Sequence, residues 1–415
     1  MVTNPSLVSS SSEVAEIFSC CSCEGGDGSA EGQGGVPPAE TCASSNFRRV
    51  KIGEVPQMEE GDVVSVVEKA ESAWSGGMGE WPMMTTEERI AAIERVVERL
   101  LALRSEMVET LMYEIGKNYV DAEAEVDRTV KFINEVVKEI RRGHGTSART
   151  VTIGSTLAYV KRAAIGVVLA LGPANYPLNE TYAMIIPAIL MGNVVVLKIP
   201  AVGGLVHLLT LEAFAAELPP NVISFVSGGG RKTCPPMMKT GKIDGLAFIG
   251  SSKAADDLIV SHPEPHRLKV FSQLEAKNMG IFLPGLFGAA DRRSQLDAAL
   301  DAALSGSLSY NGQRCTAIKL LFVPSAYRED FISLFKAKVE GLRVGLPWTG
   351  IEERLPPSQI TPLPSKKNTD YMKELIDDAV ATGAELVCGG EIIGGEDSTL
   401  MKPAVVAGVR PVSAA

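Results

Sequence analysis

The sequence predicts an α/β protein built around a parallel sheet, and two observations carry that expectation. Short, almost wholly apolar runs recur at Ile165–Leu171, Val194–Lys198, Val222–Val226 and Leu246–Ile249, with helical patterns between them. Each run ends within two residues of a Gly, Pro or Ser that breaks the strand. Strands buried on both faces lose the polar alternation of a one-sided sheet, and β–α alternation of this kind places helices on both faces.

Taken in order, residues 1–46 are rich in Ser, Gly, Glu and Pro and are expected to form a disordered tail. No arginine precedes Arg48 and no continuous apolar core appears there, so no targeting segment is read and a cytoplasmic location is expected. Helical spacing begins near Glu60. Thr85 and Glu88 have the form of a capping box ahead of Ile90, Ile93, Val97, Leu100 and Leu101. Further helical pattern runs from Glu109 to Lys117 and on to Arg142. Among the four strands, helices are expected over Asn179–Leu190 and Leu205–Leu218. A second block then reads as a strand at Met279–Leu283, a helix at Asp291–Leu308, a strand at Ala317–Pro324, and helices at Tyr327–Glu340 and Thr369–Thr382. Domain boundaries are therefore set at 1–46, 47–278 and 279–415.

Composition removes several functions. A net charge of −10 over 415 residues argues against a nucleic-acid or anionic-membrane surface. The longest apolar stretch, Ala183–Val196, contains Pro187, Gly192 and Asn193 and reads as helix, turn and strand rather than a membrane span. Cys234, Cys315 and Cys388 are far apart, and Cys20, Cys21, Cys23 and Cys42 lie in the polar tail, so no disulfide framework is read. The four histidines, His144, His207, His262 and His266, are not read as a catalytic metal site.

Six segments carry chemistry. Cys315 follows Asn311, Gly312, Gln313 and Arg314 on a turn before an apolar run; a neighbouring guanidinium or converging backbone N–H groups would favour its thiolate. The rival reading is a small buried hydrophobe. The turn Gly172-Pro-Ala-Asn175-Tyr176-Pro leaves a strand and enters a helix, where ligands bind in open α/β sheets, and an asparagine amide there can donate to an oxyanion. Lys198 ends a strand and suits a ribose or phosphate, although alone it is equally a solvated strand end. Gly229 in Ser227–Gly230 and Gly250 before Ser251 follow short strands; Ser251 can cap the next helix, whose free N–H groups favour phosphate. Glu275, in Gln273-Leu-Glu-Ala-Lys277-Asn278, is a candidate general base toward water.

In this order, GPANYPLNE, VVLKIP, FIGSS, QLEAKN and YNGQRCTAIK resemble the aldehyde dehydrogenase superfamily over roughly residues 60–410. The resemblance implies a Rossmann-type parallel-sheet cofactor domain over 47–278 and an α/β catalytic domain from 279. Within the superfamily, Asn-Tyr-Pro and Gln-Arg-Cys-Thr-Ala look most like the NADP-dependent, non-phosphorylating glyceraldehyde-3-phosphate dehydrogenases. Carried over, Cys315 is the nucleophile, Asn175 and the Cys315 amide hold the oxyanion, and Lys198 and Ser251 hold the cofactor. Arg128, Tyr176 and Arg314 fall on positions that recognise substrate phosphate. Family members that prefer NAD commonly place a glutamate where Ala201 stands, so NADP is expected, and NAD less so.

Two departures from the pattern bear on function. Strict alignment with the family's Glu-Leu-Gly-Gly-Lys puts Gln273, not Glu275, at the general-base position. Members also continue beyond Val409, Pro411 and Val412, so a C-terminally truncated chain lacking an oligomerisation segment is expected, with homo-oligomers otherwise implied by the family. The alternatives are an aldehyde dehydrogenase for another semialdehyde, or a form that binds nucleotide without catalysis.

Overall fold

A computed structural model describes residues 12–20, 47–142, 149–160, 162–287, 293–351 and 356–409. Strands β1 (Ser12–Cys20) and β2 (Phe47–Pro56) pair with each other. Residues 12–20 are thus extended and paired inside the segment expected to lack order; Val14, Ile17 and Phe18 give that stretch strand character. The rest of 1–46 lies outside the described residues. Past residue 52 the chain forms two compact units, one from Gly53–Leu111 and Ala122–Glu275, the other from Met112–Asp121 and the chain from Ala276 onward.

The first unit opens with helices α1 (Glu60–Trp74), α2 (Glu80–Met83), α3 (Thr86–Ala102) and α4 (Arg104–Ile115), the last of which ends in the second unit. The capping box at α3 forms as expected: the Thr85 hydroxyl accepts from the Glu88 amide, and Glu88 accepts from the Thr85 amide at 2.7 Å. Helix α5 (Tyr119–Arg142) and a hairpin of β3 (Arg149–Ile153) and β4 (Thr156–Val160) follow. The alternating core is β5 (Val167–Leu171), α6 (Asn179–Leu190), β6 (Val194–Lys198), α7 (Leu205–Glu217), β7 (Ile223–Val226), α8 (Gly230–Lys239), β8 (Gly245–Gly250), α9 (Ser252–Ser261) and β9 (Lys269–Leu274).

These five strands form one parallel sheet in the order β7-β6-β5-β8-β9. All of β6 is buried, as expected of a strand covered on both faces. One face packs Val63, Val67 and Ala70 of α1 with Met237 and Met238 of α8 and Leu258 of α9 against Val167, Val194 and Leu246. Helices α3, α6 and α7 pack on one another, and α6 packs on β5 and β6. Trp81 Nε1 and Arg89 Nε donate to the Ile189 and Leu190 carbonyls at 2.9 and 2.8 Å, closing the C-terminal end of α6.

In the second unit, β10 (Asn278–Ile281) and β11 (Ile318–Phe322) are parallel neighbours linked through α10 (Arg293–Leu308). Helices α11 (Arg328–Glu340) and α12 (Lys366–Ala381) follow, and then strands β12 (Glu385–Cys388), β13 (Ile392–Ile393), β14 (Leu400–Met401) and β15 (Val405–Ala407) in two antiparallel pairs, β12 with β15 and β13 with β14. Phe282, Phe287, Leu300, Phe331, Phe335 and Val339 make this unit's core. The expected start of α10 at Asp291 and the C-terminal residues Pro411 and Val412 lie outside the described residues. Among the described residues no helix is long and apolar enough to cross a membrane.

Candidate active site

Strand register brings the cofactor candidates to one edge of the five-stranded sheet. Leu171 is level with Lys198 and with Phe248, Lys198 is level with Val226, and Gly250 is level with Leu274. The Gly172 turn, Lys198, the Ser227–Gly230 loop and Ser251 therefore all leave the carboxyl ends of parallel strands. The sheet order reverses between β5 and β8, the place where open α/β sheets form a ligand crevice. Lys198 is buried, and its charge reaches Cys234, whose thiol burial pushes up while the Thr233 hydrogen bond and Lys198 pull it down. No side chain fits at Gly172, because a Cβ would lie 1.7 Å from Thr181 Oγ1. The glycine is required by the close packing of this turn on the buried Thr181 of α6.

Three candidates have partners within the unit. The Gly229 amide donates to Gln57 Oε1 at 2.8 Å, and Ser227 Oγ donates to the Pro56 carbonyl at 2.6 Å, so the β7–α8 loop is satisfied by the segment entering α1. Ser251 caps α9 as expected, its hydroxyl accepting from the Ala254 amide at 3.3 Å. The Glu275 carboxylate sits at the start of the same helix, where the Ser252 amide donates at 2.7 Å and the Ser252 hydroxyl at 3.0 Å. The side chain expected to activate water is held as a helix cap at the N–H group expected to meet a cofactor phosphate.

Asn175 and Tyr176 are half-buried on the Gly172 turn, and Arg128 is exposed on α5. A residue that sequence reading passed over joins these elements. Glu125, fully buried on α5, accepts from the Leu178 and Asn179 amides at 3.0 and 3.3 Å. It satisfies free donors at the start of α6 and fixes the end of the Asn175 turn against α5, three residues before Arg128.

In the second unit Cys315 is half-buried, in the second position of a turn closed by the Ala317 amide on the Arg314 carbonyl at 3.1 Å. The approach is strained: Tyr310 and Asn311 have φ of 50° and 55°, a region that side chains with a Cβ rarely adopt. Side-chain contacts hold it there. Tyr310 Oη donates to the Ile115 carbonyl at 3.2 Å, and the Lys117 ammonium lies 4.5 Å from the Tyr310 ring centroid. Asn311 Nδ2 donates to the Thr361 carbonyl at 3.0 Å while its Oδ1 accepts from the Thr361 amide at 2.9 Å.

Two more residues that sequence reading missed grip the thiol turn. Asn278 Nδ2 donates to the Cys315 carbonyl at 2.6 Å and to the Ala317 carbonyl at 3.3 Å. Lys319 Nζ donates to the Gly312 carbonyl at 2.9 Å and to the Arg314 carbonyl at 3.3 Å. Both lie in quoted motifs, but nothing in a linear sequence shows that their side chains return to the turn. Arg314 faces the end of α10, donating through Nη2 to the Ser305 and Gly306 carbonyls at 3.2 and 3.4 Å. Its Nε is buried without a partner. The guanidinium expected to read a substrate phosphate thus has one nitrogen engaged by backbone.

His262 and His266 share an i, i+4 spacing, but both His262 ring nitrogens meet backbone, at the Ile243 carbonyl (3.1 Å) and the Glu264 amide (3.0 Å). Among the described residues no group of three potential ligands is placed to hold a metal.

Comparison with known proteins gives the same direction. The sequence profile of the aldehyde dehydrogenase family matches residues 40–415. The NADP-dependent glyceraldehyde-3-phosphate dehydrogenase of Streptococcus equinus is 30% identical over 342 residues, 81% of this chain and 67% of that protein. The succinate semialdehyde dehydrogenase of Acinetobacter baylyi is 27% identical, covering 82% of this chain and 67% of that protein. Among solved structures, NADP-dependent glyceraldehyde-3-phosphate dehydrogenase from Bacillus halodurans, complexed with NADP, superposes with a TM-score of 0.76 at 28% identity, covering 89% of this chain and 72% of that one. The chain thus spans about two thirds of the length of the curated relatives it matches. With a profile match running from residue 40 to 415 over the parallel sheet that the sequence leads one to expect, the chain belongs to the aldehyde dehydrogenase family.

Proposed function

We propose that the chain oxidises glyceraldehyde 3-phosphate to 3-phosphoglycerate with NADP, through a thioester on Cys315 and without inorganic phosphate. The observation that carries the acyl-transfer chemistry is the Cys315 turn, whose flanking carbonyls are held from two sides by Asn278 and Lys319. Held backbone keeps a nucleophile in one orientation, which is where much of its advantage over a free thiol arises. Cys315 attacks the aldehyde carbon, and the Asn175 amide and the Cys315 N–H are assigned to the oxyanion. Arg128 and Tyr176, with the remaining donors of Arg314, are assigned to the substrate phosphate.

Two features of the sheet support a dinucleotide: the strand ends are level, and Lys198 places a cation there. Ala201 offers no carboxylate to repel a 2′-phosphate, which favours NADP. Lys198, Gly250 and Ser251 would hold it, and bound NADP supplies the acceptor for the substrate's hydride. Water activation is the step for which the chain is least equipped. Gln273 carries no base, and Glu275 is engaged by Ser252. Hydrolysis of the thioester is therefore expected to be slower than its formation.

A second reading, oxidation of an unphosphorylated semialdehyde, is favoured by the engagement of Arg314 with the α10 carbonyls. Steady-state rates with glyceraldehyde 3-phosphate and with succinate semialdehyde separate the two. The proposal expects kcat/KM for the phosphorylated substrate to be higher by about 100-fold, the value of a charged contact or two, and Arg128→Ala to remove most of that preference. Equal or reversed preference would transfer the assignment to the semialdehyde.

A further inference from the structure

We propose that Lys319 is the positioning residue of the Cys315 thiol: its ammonium, tied to the Gly312 and Arg314 carbonyls, holds the shape of the loop that presents the sulfur. The inference rests on the assignment of Cys315 as nucleophile but uses neither aldehyde nor dinucleotide.

The geometry is that of a strap. Lys319 is the second residue of β11, two positions past Ala317, and its side chain runs back to the carbonyls of Gly312 and Arg314. Those carbonyls lie on the N-terminal side of Cys315, whereas Asn278 of β10 holds the Cys315 and Ala317 carbonyls on the other side. The strap also bears on the strained residues, because Gly312 follows left-handed Tyr310 and Asn311 directly. A conformation that costs energy persists only where side chains fix it.

Charge adds to geometry. The ionisable groups acting on Lys319 are Lys277, just before β10, Arg314 and Cys315. Burial holds its ammonium below the ordinary lysine range, Lys277 and Arg314 push the same way, and Cys315 alone pulls back. An arginine at this place would keep charge and donors, whereas methionine would keep the length and lose both.

The test is alkylation of the whole chain by iodoacetamide across a pH series, read at the Cys315 peptide by mass spectrometry, with folding checked by circular dichroism. The inference expects Lys319→Met to slow alkylation near neutrality roughly tenfold, because the released turn no longer holds the sulfur in one orientation. Lys319→Arg should restore most of the wild-type profile. Lys277→Met should have a smaller effect, since no hydrogen bond ties that side chain to the turn carbonyls. A Lys319→Met rate that matches the wild type in a folded protein would overturn the inference, as would Lys277→Met slowing alkylation as much as Lys319→Met does. Altered thiol profiles with no aldehyde turnover would leave the strap standing and remove the proposed function; turnover with unaltered profiles would do the reverse.

Discussion

His207 shows how much one residue can hide in a sequence. It lies on α7 with no exposure, its ring stacked on Tyr182 at 6.0 Å between centroids, and neither ring nitrogen has a hydrogen-bond partner. Burial pushes its pKa down to about 3 from an ordinary 6.5. The unfolded chain therefore takes up a proton before the folded one does as pH falls. Stability is unaffected above about pH 6.5 and is lost between there and about pH 3, by roughly 4 kcal/mol at the low end. His207→Leu should remove that part of the acid sensitivity and add about 1 kcal/mol near neutrality by deleting an unsatisfied buried donor. Denaturant unfolding of both proteins at several pH values checks it; parallel pH curves would refute it.

Glu275 makes the complementary point for the site. Motif matching identifies it as a carboxylate near the right place, and only the fold shows that it caps α9 at Ser252. If a cofactor phosphate needs that N–H group, the two anions compete. Glu275→Ala should then tighten NADP binding about tenfold, the scale of one charge-assisted contact at a helix start, as read by titration calorimetry. Weaker binding would mean that the carboxylate supports the site rather than obstructs it. The Ser251 cap was legible because a short motif carries it. Glu125, Asn278 and Lys319 were not, because their roles consist of contacts to distant backbone.

Among the elements, strands β5 to β8 announce themselves. Their apolar runs have no polar alternation, and the structure places them within one or two residues of the expected bounds. Strand β9 was missed because it is an edge strand that exposes Val270 and Phe271 and begins at Lys269. Helix α8 was missed because Pro235 and Pro236 read as breakers. The β3–β4 hairpin and the short pairs β12–β15 and β13–β14 leave too few residues for periodicity to register. Helix α6 depends on a contact that no local pattern reveals: Arg89 on α3 is buried and donates to the Leu190 carbonyl. Its guanidinium also donates to the Met84 carbonyl. Arg89→Ala leaves both acceptors without that donor and should cost about 2–3 kcal/mol, measured as a lowered urea midpoint at unchanged slope. A loss below 0.5 kcal/mol, the range of an ordinary surface substitution, would show that the two carbonyls find other donors.

For the whole molecule, sequence gave the class and order of the alternating unit, and the second unit was read less fully. Its parallel pair β10–β11 exposes Met279, Ile281 and Phe322, so burial does not mark those strands as it marks β6. The candidate functional residues are divided between the units: Asn175, Lys198 and Ser251 belong to the first, and Cys315, Asn278 and Lys319 to the second. The chemistry proposed here is acyl transfer through Cys315. Rapid mixing of the chain with NADP and glyceraldehyde 3-phosphate, in buffer without inorganic phosphate, tests that claim most directly. The account predicts a fast release of about one NADPH per chain and then a slower steady rate set by thioester hydrolysis, with both phases absent in Cys315→Ser. A burst that survives Cys315→Ser, or one that appears only when inorganic phosphate is added, would contradict it.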